Sequence, residues 1–284
     1  MKPARFSYEA PVTIDAALAA LAERRDAAKI IAGGQSLAPM MNMRIAQPGH
    51  LIDINGLAEL SRIRLEADHL VVGALTRHAD LARHPLAREH APMLAHAAST
   101  IGHYAIRQRG TIGGSLAHAD PAAQLPLVAV ALDARIEVVS DGKRRLIAAG
   151  DFFLSIFTTA LAPEELLVAV HFPLARERTG WGFRLFVRRA GDFALVLVAC
   201  SLALSGENAA NVRLAIGGAG TAPERLDAAV PSGRADTDWI ARAAQAVAAA
   251  AKIADNEQYS AEYRRELIAS LARDAIGEAV ERAR

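Results

Sequence analysis

The sequence has a single cysteine, Cys200, among its 284 residues. One cysteine excludes a disulfide within the chain, and it excludes a cysteine-ligated zinc site or iron–sulfur cluster built from this chain alone. The chain also lacks an excess of charge of one sign, because 32 Lys and Arg nearly balance 31 Asp and Glu and leave a formal net charge of +1. That balance argues against a broad polyanion-binding surface. Any redox centre is therefore a bound organic cofactor or belongs to a partner.

Long hydrophobic runs are missing as well. The longest largely apolar stretch, from Phe193 to Leu204, is shorter than the roughly 18 residues of a membrane span and predicts a buried strand. The basic residues near Met1 are not followed by the apolar segment of a secretory signal, so we expect a cytoplasmic protein. The hydrophobic content of 52% is ample for a folded core.

Hydrophobic periodicity predicts an α+β protein of three subdomains, over residues 1–55, 56–177 and 178–284. Thr13 is expected to cap the first helix, and Asp141-Gly142 is typical of a β-hairpin turn. Asp120-Pro121 resembles an N-cap followed by proline, which predicts a helix from there through Val130. The last subdomain is expected to contain three antiparallel strands followed by two helices.

Two Gly-Gly turns flanked by hydroxyl side chains are the main candidate site. The first is Ala32-Gly-Gly-Gln-Ser-Leu37, between a strand and a helix, and the second is Arg109-Gly-Thr-Ile-Gly-Gly-Ser115. Glycines allow positive φ and let backbone N–H groups approach an anion. Neither turn is a Walker loop or a G-x-G-x-x-G fingerprint. Each alone is equally an ordinary turn, whereas two in one chain suggest loops closing on one pyrophosphate.

Three segments carry a family resemblance: AGGQSLAPMMNMR at 32–44, RGTIGGSLAHADPAAQLP at 109–126 and RRAGDFALV at 188–196. They are similar to signatures of the FAD-binding medium subunit of the molybdenum hydroxylases, the xanthine dehydrogenase and carbon monoxide dehydrogenase group. The matches run in order along essentially the whole chain, including a YRR element at 263–265. The resemblance implies a two-subdomain FAD-binding fold of the vanillyl-alcohol oxidase type, followed by a C-terminal subdomain of three antiparallel strands and helices.

The resemblance also implies where FAD binds, with the pyrophosphate held by N–H and hydroxyl donors of the two turns. The turn residues expected at the cofactor are Ala32, Gly33, Gly34, Gln35, Ser36, Leu37, Thr111, Ile112, Gly113, Gly114 and Ser115. Outside the turns, the expected residues are Ile101, Asp120, Gln124, Leu167, Asp192 and Phe193. No catalytic acid or base and no metal ligand is assigned.

Several of these residues have a second interpretation. Ile101 and Leu167 are equally natural core residues, and Asp120 caps its helix, faces the cofactor, or does both. Gln124 stands where the family more often has an acid reaching the adenosine ribose, so its hydrogen bond lacks the charge. Phe193, in the segment that approaches the isoalloxazine, either gates one flavin face or belongs to a strand core.

The resemblance further implies a heterotrimer with a large molybdopterin subunit and a small subunit carrying two 2Fe–2S clusters, paired into a dimer of heterotrimers. Electrons would pass from the clusters through FAD to NAD, a quinone or oxygen. No nucleic-acid partner is expected. Two alternatives stay open: a self-contained flavin-dependent reductase of related fold, and a non-redox nucleotide-binding assembly subunit. The substrate of the complex is not encoded in this chain, because substrate choice belongs to the large subunit.

Overall fold

A parallel three-stranded sheet forms the N-terminal part of the computed structural model, which describes residues 2–175 and 178–284. Its elements are β1 (Ser7–Glu9), α1 (Ile14–Arg24), β2 (Ala28–Ile31), α2 (Leu37–Asn42) and β3 (His50–Asp53), with the strands in the order β1-β3-β2. Thr13 caps α1 as predicted, since its hydroxyl accepts a hydrogen bond from the N–H of Ala16 at 3.1 Å. Strand β1 is not predicted by the sequence, because three residues are too few to show a hydrophobic period.

A five-stranded antiparallel sheet and a set of helices form the middle of the chain. The elements are β4 (Ile63–Glu66), β5 (His69–Gly73), α3 (His78–Arg83), α4 (Pro85–His90), α5 (Pro92–Ser99), α6 (Tyr104–Arg109), α7 (Ile112–His118), α8 (Gln124–Ala131), β6 (Arg135–Ser140), β7 (Lys143–Ala148), α9 (Ala149–Phe152), β8 (Phe153–Ser155), β9 (Thr158–Thr159) and β10 (Leu166–Pro173). The large sheet has the order β4-β5-β10-β6-β7, and β8 and β9 form a separate two-stranded sheet. The predicted hairpin at Asp141-Gly142 is confirmed, because both residues have the positive φ of a type I′ turn, 43° and 71°.

A four-stranded antiparallel sheet and two helices form the C-terminal part. The elements are β11 (Thr179–Phe186), β12 (Val196–Ser205), β13 (Asn208–Gly217), β14 (Glu224–Arg225), α10 (Thr237–Ala250) and α11 (Ala261–Ala283). The prediction of three strands was one short, since β14 is a two-residue edge strand without a pattern of its own. Helix α11 lies directly on β11. A methyl carbon added at Gly182 would be 1.9 Å from the carbonyl oxygen of Ala275.

The central strand β12 is buried on both faces. Val198 and Cys200 pack against α10 and α11, whereas Leu197 and Ala199 face the core of the middle segment. Cys200 is fully buried, and burial raises the pKa of its thiol to about 12. The C-terminal sheet therefore shares an apolar core with the middle segment.

The hydrophobic cores also cross the other predicted boundary. Each of the three large sheets lies within one of the predicted segments, but one core cluster combines Ile52 with Leu75 and Val168. The boundary between 177 and 178 adjoins residues outside the described ranges. In the part of the chain that the structure describes, no helix combines the length and hydropathy needed to cross a membrane.

The predicted helix start at Asp120 was wrong. The carboxylate of Asp120 accepts the N–H of Ala122 at 2.8 Å, which makes a local turn, and α8 begins only at Gln124. The turn is tied to the C-terminal part, because the carbonyl of Pro121 accepts the N–H of Gly218 at 2.8 Å. The YRR element contacts the residue next to Gly218, because the buried Arg264 donates to the carbonyl of Ala219 at 3.2 Å.

Candidate cofactor site

The first Gly-Gly turn joins β2 to α2 and has unused amide groups. Gly34 adopts a φ of +70°, which a residue with a side chain enters only at a cost, and the Gln35 amide donates to the carbonyl of Gly33 at 3.0 Å. Within residues 2–175 and 178–284, the N–H groups of Gly34, Gln35 and Ser36 have no acceptor. Three adjacent amide donors are thus available to an anion.

Most amide groups of the second turn already have acceptors within the chain, although the N–H of Thr111 has none among the described residues. Gly113 donates to the carbonyl of Ala74 at 2.8 Å, Gly114 to the hydroxyl of Thr111 at 3.1 Å, and Ser115 to the carbonyl of Thr111 at 3.0 Å. The Ser115 hydroxyl has no partner among the described residues, and Gly114 is exposed. The turn therefore offers a hydroxyl donor beside an open glycine.

The two turns touch at Gly33. A methyl carbon added at this buried glycine would be 2.3 Å from the carbonyl oxygen of Arg109 and 2.9 Å from the Cα of Gly110. Only glycine allows this approach, since real Cβ contacts do not fall below 3.0 Å. The juxtaposition that the sequence could only suggest is present in the fold.

A hydrogen-bonded bridge outside the predicted site residues links the two turns. The Arg77 guanidinium donates to the carbonyl of Arg109 and to the Asn55 side-chain oxygen, the latter at 2.7 Å. The Asn55 amide nitrogen donates to the carbonyl of Ala32 at 2.8 Å. Asn55 and Arg77, which form the bridge, lie 22 positions apart and belong to neither glycine motif, so no sequence signal identifies them.

Asp53 fixes the Asn55 end of this bridge. Its carboxylate accepts the N–H of Asn55 at 2.8 Å and the Tyr8 hydroxyl at 2.6 Å. Burial acts to raise the pKa of Asp53, but the hydrogen bonds from Tyr8 and from the backbone and side chain of Asn55 outweigh it and lower the pKa. Asp53 is therefore an ionised acceptor that fixes the position of Asn55.

His78 lies beneath the second turn. Its Nε2 is 3.0 Å from the carbonyl of Thr111 and therefore carries the proton, while Nδ1 is buried without a partner among the described residues. A methyl carbon at Gly110 would be 2.7 Å from the imidazole ring. Burial, with smaller contributions from Arg107 and Arg77, lowers the pKa of His78 to about 4. The imidazole is thus a neutral support for the turn.

The loop at 101–102 and the turn that contains Gly191 also meet. Arg107 donates to the carbonyls of Ile101 and Gly102 at 2.8 and 3.1 Å, which fixes that loop. Gly191 lies opposite, where a methyl carbon would be 3.8 Å from the carbonyl carbon of Gly102. Phe193 is 70% exposed and precedes β12, so it is not a strand-core residue.

The remaining candidate residues are buried to different degrees. Ile112 and Leu167 pack in the core of the middle segment, and Leu37 is partly buried. Gln124 is buried at the start of α8, with its side-chain nitrogen 3.5 Å from the carbonyl of Thr100. A direct cofactor contact for each of them stays a prediction. The described residues contain no group of three or more His, Cys, Asp or Glu suited to a metal ion.

Comparison with known families covers nearly the whole chain. Residues 4–175 match the FAD binding domain in molybdopterin dehydrogenase, and residues 181–279 match the CO dehydrogenase flavoprotein C-terminal domain. The chain therefore belongs to the family of FAD-binding medium subunits of molybdenum hydroxylase-type complexes, as the sequence resemblance implied. It is an oxidoreductase subunit with the α+β fold of that family, and its own cofactor is FAD.

Individual relatives agree with this assignment. The chain is 38% identical over 282 residues to the nicotine 6-hydroxylase medium subunit of Paenarthrobacter nicotinovorans, covering 98% of this chain and 99% of the relative. A structure of carbon monoxide dehydrogenase from Hydrogenophaga pseudoflava superposes with a TM-score of 0.95 at 34% identity, covering 99% of each chain. Quinoline 2-oxidoreductase from Pseudomonas putida 86 gives a TM-score of 0.94 at 31% identity, covering 100% of this chain and 99% of the other.

Proposed function

We propose that this chain is the electron-transfer subunit of a three-subunit molybdenum hydroxylase. A large subunit with molybdopterin oxidises the substrate, two 2Fe–2S clusters on a small subunit carry the electrons to this chain, and an external acceptor (NAD, a quinone or oxygen) removes them. FAD, when bound, supplies the exchange between one-electron and two-electron transfers. The observation that carries the proposal is the contact between the two glycine turns at Gly33.

The donors around this contact suit a diphosphate. The N–H groups of Gly34, Gln35 and Ser36 would bind phosphate oxygens from one side, and the Ser115 hydroxyl from the other. The exposed Gly114 leaves room for the phosphate, since an added methyl carbon there would meet only the Thr111 hydroxyl at 2.9 Å. The residues present therefore fit the cofactor that the family binds.

The loop at 101–102 and the turn at 189–193 would enclose the isoalloxazine. The exposed Phe193 would cover one face of the ring, and Asp192, whose N–H donates to the carbonyl of Arg189 at 3.0 Å, would lie at its edge. Gln124, next to Thr100, would replace the acidic contact to the ribose with a neutral one. Leu167, buried in the core of the middle segment, would contact the cofactor from the core side.

The absence of a second cysteine supports clusters on another subunit, because cluster ligation needs several thiolates. We extend the proposal to a dimer of heterotrimers located in the cytoplasm. Gel filtration of the purified complex tests the assembly, and cell fractionation with antibody detection tests the location.

Affinity purification of the tagged chain from its native host tests the relay. We expect a large molybdenum subunit and a small cysteine-rich subunit to co-purify, with FAD and iron in stoichiometric amounts. Reducing substrate should bleach both the flavin and the iron–sulfur absorbance. A yellow protein without partners that reduces a substrate with NAD(P)H would establish the self-contained reductase instead. A purified chain that stays colourless after incubation with FAD would establish the assembly subunit.

A further inference from the structure

Arg77 and Asn55 form one continuous connection between the two glycine turns. From the first turn, the carbonyl of Ala32 accepts the Asn55 amide at 2.8 Å, and the Asn55 side-chain oxygen accepts Arg77 at 2.7 Å. The same guanidinium donates to the carbonyl of Arg109 in the second turn. Because a guanidinium is planar and presents its donors in a fixed fork, this connection sets the distance between the turns.

The orientation of Asn55 is determined by its neighbours. Its amide nitrogen faces two acceptors, the carbonyl of Ala32 and the Asp53 carboxylate at 2.6 Å, while its oxygen faces the donating Arg77. Rotation of the amide by half a turn would oppose donor to donor and acceptor to acceptor. Asp53 thereby aligns Asn55, and Asn55 aligns Arg77.

Arg77 also brings a positive charge that is not directly paired. Within the described residues, no carboxylate lies within ion-pair distance of its guanidinium, which contacts neutral oxygens only. Burial and the nearby Arg109 lower the pKa of Arg77, although a guanidinium stays charged. A diphosphate between the turns would offset the repulsion between these two cations.

We propose that Arg77, aligned by Asn55, is the positioning residue that holds the two turns at the spacing required for the diphosphate of FAD. The inference rests on the proposed binding of FAD between the turns. It does not require that Arg77 touch the cofactor. Its role is to keep Gly33 against Arg109 while the amides of the first turn stay aligned.

The test compares FAD binding to the full-length chain carrying Arg77→Gln, Arg77→Lys, Asn55→Ala or both Asn55→Ala and Arg77→Gln. Arg83→Gln, on the exposed side of the following helix, is the matched control. FAD affinity is measured by flavin fluorescence at low temperature, with folding checked by circular dichroism. Hydrogen exchange of the apo protein provides an independent readout at residues 33–36 and 109–115.

We expect Arg77→Gln to weaken FAD binding by about tenfold or more and to accelerate exchange in both turns. Arg77→Lys is expected to retain only part of the wild-type affinity, because an ammonium group lacks the fixed, forked arrangement of donors of a guanidinium. The double variant loses less than the sum of the single losses, since both residues act through one bridge.

FAD affinity of Arg77→Gln within twofold of the wild type would overturn the inference, as would exchange that accelerates uniformly along the chain. If Gly114→Asp abolishes binding while Arg77→Gln does not, the proposed cofactor site stands and only the positioning role falls. If the wild-type chain takes up no FAD, both are overturned.

Discussion

The α-carbon of Gly33 lies against the carbonyl of Arg109, so close that a methyl group on Gly33 would be 2.3 Å from that oxygen. The same carbonyl accepts a hydrogen bond from Arg77. One peptide unit of the second turn is thus held between a glycine of the first turn and a guanidinium. Any change that enlarges Gly33 must therefore separate the turns.

Gly33→Ala is expected to lower the FAD content of the purified chain at least about tenfold, because relief of a backbone overlap moves one turn away from the other. The measurement is the flavin absorbance per chain after gel filtration. Gly56→Ala is the control, since a methyl group there would be 3.8 Å from its nearest neighbour, the carbonyl of Pro11. Equal flavin content in both variants would mean that the turns tolerate separation.

Gly114→Asp is expected to abolish flavin retention in a folded protein. The position is exposed, so the carboxylate does not disturb the core, but it adds negative charge and bulk where the diphosphate is proposed to bind. Gly114→Ala separates the two effects, because it displaces only the Thr111 hydroxyl. Equilibrium dialysis with FAD should show intermediate binding for Ala and none for Asp. Full FAD occupancy in Gly114→Asp would remove this turn from the phosphate site.

Gly182→Ala is expected to reduce the free energy of unfolding by about 1–3 kcal/mol or more, because the methyl group overlaps the backbone of α11. Gly277→Ala, in α11 itself, has open space around the added methyl and is expected to stabilise by about 0.5–1 kcal/mol through helix propensity. Urea unfolding of both variants measures the difference. Two changes of the same sign would contradict this description of the interface.

The stability of the apo chain is expected to fall with pH below the ordinary histidine pKa of 6.5 because of His78, whose pKa in the folded state is about 4. Between these values the unfolded chain binds a proton that the folded chain does not. The free energy of unfolding therefore decreases as the pH drops, by up to about 1.4 kcal/mol per pH unit.

Urea unfolding at pH 7 and pH 5 measures this slope. His78→Gln should reduce the loss of stability between the two pH values, whereas His103→Gln, at an exposed position, should leave it as in the wild type. A slope unchanged by His78→Gln would show that other groups cause the acid sensitivity.

The sequence was sufficient to predict features that depend on one or two neighbouring residues. The Thr13 cap and the Asp141-Gly142 hairpin follow from single side chains and from φ requirements. The prediction at Asp120 was wrong because aspartate serves equally well in a turn and at a helix N-cap. In the fold its carboxylate closes a turn with Ala122, and the next residue, Pro121, accepts a tertiary hydrogen bond from Gly218.

The glycine turns were recognisable from sequence, but the reasons for individual glycines were not. Gly33, Gly110 and Gly113 are required because another part of the chain packs against each of them, whereas a methyl carbon at the exposed Gly114 would meet only the Thr111 hydroxyl. The bridge through Asn55 and Arg77 has no sequence signature, because polar residues 22 positions apart meet only after the sheets assemble. Motifs thus identified the cofactor, and tertiary contacts determine how the turns are held.

The burial of Cys200 makes the chain well suited to site-directed labelling. It is the only cysteine in the sequence, and its complete burial, which also raises the pKa of the thiol, keeps it out of reach of maleimides in the folded protein. A cysteine introduced on an exposed loop would accordingly be modified alone, without first removing the native one. Fluorophores or spin labels attached in this way could report distances to the flavin, and slow modification of Cys200 itself would record each opening of the C-terminal sheet.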